Sequence, residues 1–295
     1  MKRSGITIIL LIFLSGTFAF SQDNQALDSM RVKETPEAVT LAPPHALYGG
    51  MGYGSNMIYL GSTISQNNSF GYSSLVYGFR NEFFVSLSAM HLSGFKPIFP
   101  LCTGSLSYSH IFNSWFDISA GLYGYLVNPS LKDTLFGNFI YTDLTLGVDW
   151  RLLYSKISLG GLKMDQSQFY FQVRNSRYFQ TPDILQGKAT ISFDPYVNLI
   201  WGTITNAETI TSSDTIVSTL PLFGRGKPGN QTTSETVYTS DFRLMEIDFG
   251  LPVAINFDYM SVEVEAGYVL PLISDPNYRS SKGFLFLVSV FLKIL

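Results

Sequence analysis

The sequence of 295 residues has little cysteine and little charge. Its one cysteine, Cys102, cannot form an intrachain disulfide, so the chain must be stabilised without covalent cross-links. Charged residues make up only 14%, whereas soluble domains carry about 25%. Hydrophobic residues reach 46% and aromatics 15%, which argues against an aqueous enzyme of this length. The net charge of −3 comes without a basic cluster, so we expect no nucleic-acid partner.

The sequence also lacks the motifs of cofactor-dependent enzymes. It contains no P-loop, no GxGxxG between a strand and a helix, no CxxC pair and no HExxH. We therefore predict that the protein has no cofactor, and we assign no metal-binding residues.

The only long apolar run lies at the N-terminus. Met1-Lys2-Arg3 is basic, and residues 6–20 (ITIILLIFLSGTFAF) are apolar but shorter than the roughly 20 residues that a membrane-spanning helix needs. A basic start, a short apolar core and small residues before Gln22 predict a signal peptide over 1–21. The alternative is an uncleaved N-terminal anchor. No cysteine stands directly after this run, so we expect no lipid anchor at the mature N-terminus. The mature chain is expected to be exported.

After residue 21 the hydrophobic residues occur in short alternating stretches. A membrane protein without helix-length apolar runs can satisfy its backbone hydrogen bonds only as a closed β-barrel. Alternation with a period of two predicts strands with one lipid face and one lumen face. A soluble β-sandwich would alternate as well, but it would not usually combine that pattern with so little charge. The apolar faces are 83/85/87/89, 142/144/146/148/150, 191/193/197/199/201, 245/247/249/251/253 and 262/264/266/268.

We therefore predict an all-β protein, a transmembrane antiparallel barrel of about twelve strands, with 10–14 allowed. A polar, mostly disordered periplasmic lead-in over 22–50 precedes a barrel over 51–295, which carries a long external loop at 205–241. The segment 46–54 is either a flexible link or a partial plug of the lumen mouth. Short links alternate with long ones, although the link at 66–69 is short where a long one is expected, and that at 178–187 is long where a short one is expected. The predicted strands are 56–66, 69–79, 82–92, 101–112, 114–126, 139–151, 153–163, 167–177, 188–203, 242–256, 258–271 and 283–295.

The last predicted strand, GFLFLVSVFLKIL, is amphipathic and rich in aromatics. It resembles the terminal strand of bacterial outer-membrane β-barrels, although it finishes in Leu295 where those strands usually finish in Phe or Trp. The resemblance implies that residues 283–295 are read by the barrel-insertion machinery. It also implies an outer-membrane location in a Gram-negative bacterium, contact with outer-membrane lipid, and both termini in the periplasm.

Two groups of charged residues are predicted to face the lumen. Glu246 and Asp248 should lie beside Glu263 and Glu265, because a tight turn at Phe257-Asp258 joins their strands. Four acids on one patch repel, so they must be protonated, paired with bases or bound to a cation. Arg151, Arg174 and Arg243 are the available bases. The patch is either a cation-attracting constriction or a salt-bridged filling of a narrow lumen.

One pair of residues points to a different chemistry. His91 and Ser93 are two residues apart, at the outer end of a predicted strand. They look like the His and Ser of outer-membrane phospholipases and lipid A deacylases, in which His is the base and Ser the nucleophile. Gly94 stands where the lipid A deacylase pattern continues with Asn, and no acidic residue opens the next strand to orient the His.

The sequence therefore leaves two classes of function open. The first is a non-enzymatic barrel, acting as a narrow pore or as a scaffold for surface or secretion partners. The second is a lipid hydrolase that uses His91 and Ser93. The first is favoured, because the catalytic pair is incomplete.

Overall fold

The structure is a computed structural model, which describes residues 44–59, 62–63, 65, 67–129, 138–163, 167–214, 231–272 and 282–295. The predicted signal peptide and most of the predicted lead-in lie outside the described residues. Two compact units are distinguished, Met1–Gly202 with Leu244–Leu295 and Thr203–Arg243. The second contains the later part of one strand and the first part of the next. No helix in the described part of the chain is long and apolar enough to cross a membrane.

Sixteen strands are described along the chain. They are β1 (His45–Gly54), β2 (Ile58–Tyr59), β3 (Ser62–Thr63), β4 (Phe70–Phe79), β5 (Phe83–Leu92), β6 (Leu101–Asn113), β7 (Phe116–Val127), β8 (Phe139–Asp149), β9 (Tyr154–Lys163), β10 (Ser167–Ser176), β11 (Phe179–Gln180), β12 (Ala189–Phe193), β13 (Tyr196–Asp214), β14 (Gln231–Phe257), β15 (Met260–Pro271) and β16 (Gly283–Lys293).

Twelve of these strands form a closed antiparallel barrel, which confirms the predicted fold class. They are β1, β4 to β10 and β13 to β16. The ring closes because β16 pairs with both β15 and β1, while β15 pairs with β14. Of the other strands, β2 and β3 form a separate hairpin, and β12 pairs with β11 and with the end of β14.

The prediction of a first strand over 56–66 is wrong. The first strand of the barrel is β1, which pairs with β4 on one side and β16 on the other, so residues 45–50 belong to the wall and not to the lead-in. Its inward positions include Gly50, Gly52 and Gly54, which hide the alternation because glycine has no side chain to reveal a face. The segment 46–54 is therefore wall, neither flexible link nor plug.

With β1 as the first strand, one of the two connections of unexpected length is explained. The segment 55–69 now joins β1 to β4, so a long link stands where a long link is expected. The turn end of the barrel carries the connections 80–82, 114–115, 150–153 and 258–259, and the loop end carries 55–69, 93–100, 128–138, 164–166 and 272–282. The connection between β10 and β13 stays long, because β11 and β12 pair within it before Pro195.

The outward face of the barrel is apolar. Leu87 and Leu159 are 67% and 59% exposed at the middle of their strands, where a soluble protein would place polar residues. Exposed aromatic rings lie nearer the two ends of the wall, including Trp115 and Tyr259 at the turn end and Tyr53 and Phe284 at the loop end. An apolar band with aromatic residues at both edges is the pattern of a barrel wall in a lipid bilayer.

The inward face is packed by aromatic rings that lie over glycines. A Cβ added at Gly52 would overlap the ring of Tyr72, and one added at Gly160 would overlap the ring of Tyr141. Gly250 stands in the same relation to Tyr196. Glycine on a neighbouring strand gives each large ring the space to lie flat against the wall. The alternation is broken at Met245, which we expected on the lipid face but which is buried against Gly202.

Replacing one of these glycines tests the packing. We expect Gly160→Ala to lower the free energy of unfolding by about 1–3 kcal/mol, because the new methyl group displaces the buried Tyr141 ring. Gly104→Ala is the control, since its Cβ would lie 3.6 Å from Leu87 Cδ2 on the outward face. Urea unfolding in lipid vesicles measures both variants, and equal stabilities would contradict the packing role of Gly160.

Candidate functional site: a charged cluster in the lumen

The four acids named from the sequence all face the lumen. Glu246 and Glu265 are buried, and Asp248 and Glu263 are half-buried. Their strands are neighbours, but the register sets Glu263 opposite Ala254 and Glu265 opposite Pro252. The two pairs are therefore offset along the barrel and do not lie directly side by side, because the tight turn at 258–259 pairs residues at equal distances from itself.

Arg174 on β10 is the cation of this cluster. It is 2% exposed and faces inward. Its guanidinium carbon lies 3.7 Å from the centroid of the Tyr196 ring, a cation–π geometry that holds the side chain against the wall. From there it interacts electrostatically with Asp248, Glu263 and Glu265.

Arg151 is placed elsewhere. We expected it in the lumen, but it is exposed in the turn 150–153 at the turn end of the barrel. Its backbone nitrogen donates to Asp149 Oδ1 over 2.7 Å, and its carbonyl accepts a hydrogen bond from Arg177. Arg243 is also exposed, with its Nε 3.9 Å from Asp241 Oδ2.

Neutral polar residues connect the cluster to the wall. Tyr196 Oη donates to Glu265 Oε1 over 2.6 Å. Asn198 Nδ2 donates to Asp248 Oδ2 over 3.0 Å, and its own Oδ1 accepts from Gln172 Nε2 over 2.8 Å. One strand, β13, thus supplies partners to acids on both β14 and β15.

The sequence analysis did not single out Asp194, Tyr196, Asn198 or Gln172 as site residues. Asp194 is buried and interacts electrostatically with Glu263 and Glu265. Asp194, Tyr196 and Asn198 lie on the polar face of the predicted strand 188–203, in which the period-two alternation continues through Pro195. Extending the lumen face along that strand would have added them to the acidic patch.

The cluster has unused hydrogen-bonding capacity. Both terminal nitrogens of Arg174, Oδ1 of Asp248 and Oε2 of Glu265 are buried without a hydrogen-bond partner in the described part of the chain. Buried charged atoms are stable only when something solvates them. Such atoms on an inward face are suited to hold lumen water or a passing ion.

No group of three or more His, Cys, Asp or Glu side chains among the described residues has an arrangement that could hold a metal ion. The acidic residues are instead spread along two strands and interleaved with Arg174 and amide side chains. The arrangement can solvate a mobile cation more readily than it can coordinate a fixed one.

The structure does not join His91 to Ser93. His91 lies on the outward face, and its Nδ1 is 2.8 Å from the carbonyl oxygen of Ile98. Ser93 Oγ is 2.9 Å from Ser69 Oγ. A nucleophilic Ser needs a hydrogen bond to its base, and neither of these contacts provides it.

The lumen cluster and the apolar exterior together define the architecture. It is that of a closed antiparallel β-barrel with an outer face suited to a lipid bilayer. Solved structures similar to the chain are barrels of this kind. They include the NanC porin (9% identity, TM-score 0.44, 84% of this chain and 100% of that one) and the KdgM porin (12%, 0.45, 85% and 99%). LpxR from Salmonella typhimurium is also similar (6%, 0.45, 83% and 99%).

No protein-family model and no curated protein sequence matches the chain. The similar structures include porins as well as LpxR, and identities of 6–12% carry no functional residue over to this chain.

Removing the cation of the cluster should destabilise the barrel. We expect Arg174→Gln to lower the free energy of unfolding by about 3–5 kcal/mol, because buried carboxylates lose their counter-charge. The same substitution at Arg151, in the exposed turn, should change it by less than about 0.5 kcal/mol. Urea unfolding in vesicles compares the two, and equal effects would show that Arg174 does not balance the acids.

The hydrolase hypothesis has its own test. We expect Ser93→Ala to leave the lipid composition of the native membrane unchanged, because Ser93 is hydrogen-bonded to Ser69 and not to a base. Mass spectrometry of membrane lipids from cells with wild-type and variant protein measures this. A lipid species that disappears or accumulates with Ser93→Ala, and equally with His91→Ala, would restore the catalytic pair.

Proposed function

We propose that this protein is a narrow, cation-preferring pore of the outer membrane and not an enzyme. The observation that carries the proposal is the excess of acid on the inward face. Asp194, Asp248, Glu263 and Glu265 form an interacting group around the guanidinium of Arg174. Glu246 adds a further buried acid on the same strand as Asp248.

The position of these ionisable side chains inside a membrane-spanning barrel supports a pore. Ionisable side chains at membrane depth are costly, and they commonly mark an ion or substrate pathway. Low-dielectric walls focus the field of the acids along the lumen axis, which concentrates cations there and excludes anions. Acidic residues that line a constriction produce cation selectivity by the same physics. The unsatisfied oxygens of Asp248 and Glu265 supply the ligands that would replace part of a cation's hydration shell.

The orientation of the barrel is part of the proposal. Short turns collect at the end where β1 begins and β16 ends, and in outer-membrane barrels that end faces the periplasm. Export would use the signal peptide 1–21. Insertion would use residues 283–295, whose strand β16 closes the ring between β15 and β1 and turns Phe284 and Phe286 outward.

A scaffold for surface or secretion partners is the second candidate. It is favoured by the packing of the lumen, since inward side chains on most strands are buried, including Ser86, Thr145, Ser158 and Ser289. A lumen packed in this way would carry no ions, and the outward loops would then contain the functional surface.

Conductance distinguishes the two candidates. We expect the full chain in planar bilayers to conduct, and Glu263→Gln with Glu265→Gln to lower the cation-to-anion permeability ratio by roughly tenfold at low ionic strength. Reversal potentials in a salt gradient measure the ratio. Glu82→Gln is the control, because Glu82 lies in the turn 80–82 and pairs with His110.

Each negative result has a separate meaning. A barrel that stays silent at every voltage, also after substitutions that open the loop end of its lumen, would reject the pore in favour of the scaffold. A conducting barrel whose permeability ratio is unchanged by the double substitution would remove the lumen acids from the mechanism.

A further inference from the structure

On most strands the polar lumen does not continue to the loop end of the barrel; the exception is β14, whose Glu246 and Asp248 face inward opposite Pro271 and Val269. There the inward position on most strands is apolar and buried. We call these residues the apolar layer: Phe70, Leu92, Leu101, Val127, Phe139, Leu162, Val269 and Leu285. Towards the turn end the same strands carry Ser86, Ser105, Asp117, Thr145, Ser158, Glu265 and Ser289 on their inward faces.

The connection 55–69 adds further apolar side chains at this end. Met57 is fully buried and Ile58 is 3% exposed, although both lie in a link between strands and not in the wall. Ile58 forms a hydrophobic cluster with Val269 and Leu285, which are inward residues of β15 and β16. Ile58 therefore lies inside the lumen and packs against the apolar layer.

Asn56 holds this link in its folded form. Its Oδ1 accepts hydrogen bonds from Thr63 Oγ1 over 2.8 Å and Ser65 Oγ over 2.7 Å. Its Nδ2 donates to Asn67 Oδ1 over 2.9 Å. Ser65 Oγ also accepts from the backbone nitrogen of Met57 over 2.9 Å. These polar groups satisfy one another, so the link can bury its polar atoms while Ile58 contacts the wall.

We propose that the described part of the connection 55–69, residues 55–59, 62–63, 65 and 67–69, is a plug which, with the apolar layer, forms a hydrophobic gate at the loop end of the pore. The proposal rests on the pore function proposed above. An apolar constriction closes a channel because ions cannot shed their water in it and water itself leaves it. Glu263 and Glu265, which lie deeper in the lumen than Val269, then select cations, while the plug decides whether any ion passes.

The plug is built to move more easily than the wall. Its strands β2 and β3 are paired over only two residues each, whereas β1 pairs over its whole length with β4. An isolated two-stranded hairpin is marginally stable, so the contacts of Ile58 with Val269 and Leu285 supply much of what holds it. Withdrawing the plug would break these contacts without breaking the barrel.

Polar substitutions at the contact test the gate. In planar bilayers we expect Ile58→Asn and Leu285→Asn each to raise the mean conductance about tenfold or more, because the apolar contact that closes the lumen is lost. Asn56→Ala should act in the same direction by releasing the hairpin, and it leaves the wall intact if Leu285→Asn fails to fold. Retention of the heat-modifiable band on SDS gels shows which variants are folded.

The matched control is Ile98→Asn. Ile98 is 69% exposed in the connection 93–100 at the same end of the barrel, so this substitution makes the same chemical change outside the plug contact. We expect its conductance to equal that of the wild type.

The outcomes separate the gate from the pore. Increases with Ile58→Asn and Asn56→Ala but not with Ile98→Asn support the gate. A wild-type barrel that conducts with acid-dependent selectivity, and folded plug variants that conduct equally, would overturn the gate and leave the pore. If the wild type and every folded variant are silent, the pore fails, and the gate fails with it.

Discussion

The closure of the backbone hydrogen-bond ring is the constraint on which the rest of this structure depends. In a lipid environment an unpaired strand edge has no water to bond to, so the sheet must close on itself. Here β16 completes the ring between β15 and β1, and β1 reaches that position only because its inward glycines let it lie beneath the rings of Phe70, Tyr72 and Phe291. Once the ring is closed, each strand has one face in lipid and the other in the lumen.

The lumen that results is divided along its length. Charged and hydroxyl side chains are frequent in the middle and at the turn end, and on most strands apolar side chains occupy the loop end, where β14 instead carries Glu246 and Asp248. Both halves are packed, but in different ways. Aromatic rings fill space over glycines, whereas Asp248 and Glu265 each keep one oxygen without a hydrogen-bond partner in the described part of the chain. In the pore proposed here, the main barrier to ions lies in the apolar part, next to the loops.

Much of the fold could be predicted from the sequence, and less of the site. Eleven of the twelve predicted strands overlap strands of the barrel, because period-two alternation and tight turns are local properties. The exception, 56–66, lies in the link that follows the true first strand, β1. That strand was missed because Gly50, Gly52 and Gly54 carry no polarity signal. The inward direction of Glu246, Asp248, Glu263, Glu265 and Arg174 was also predictable, because a side chain's face follows from its place in the alternation.

By itself the sequence determined the β-barrel class, the apolar outer face and the acidic character of the lumen, because each depends on the pattern within single strands. Only the tertiary structure decided which residues meet. It placed Arg151 in an exposed turn and Arg174 against Tyr196, separated His91 from Ser93, and brought Ile58 to Val269 and Leu285. Those contacts join residues far apart in the chain, and their formation depends on strand register and on the closing of the ring, which no local pattern specifies.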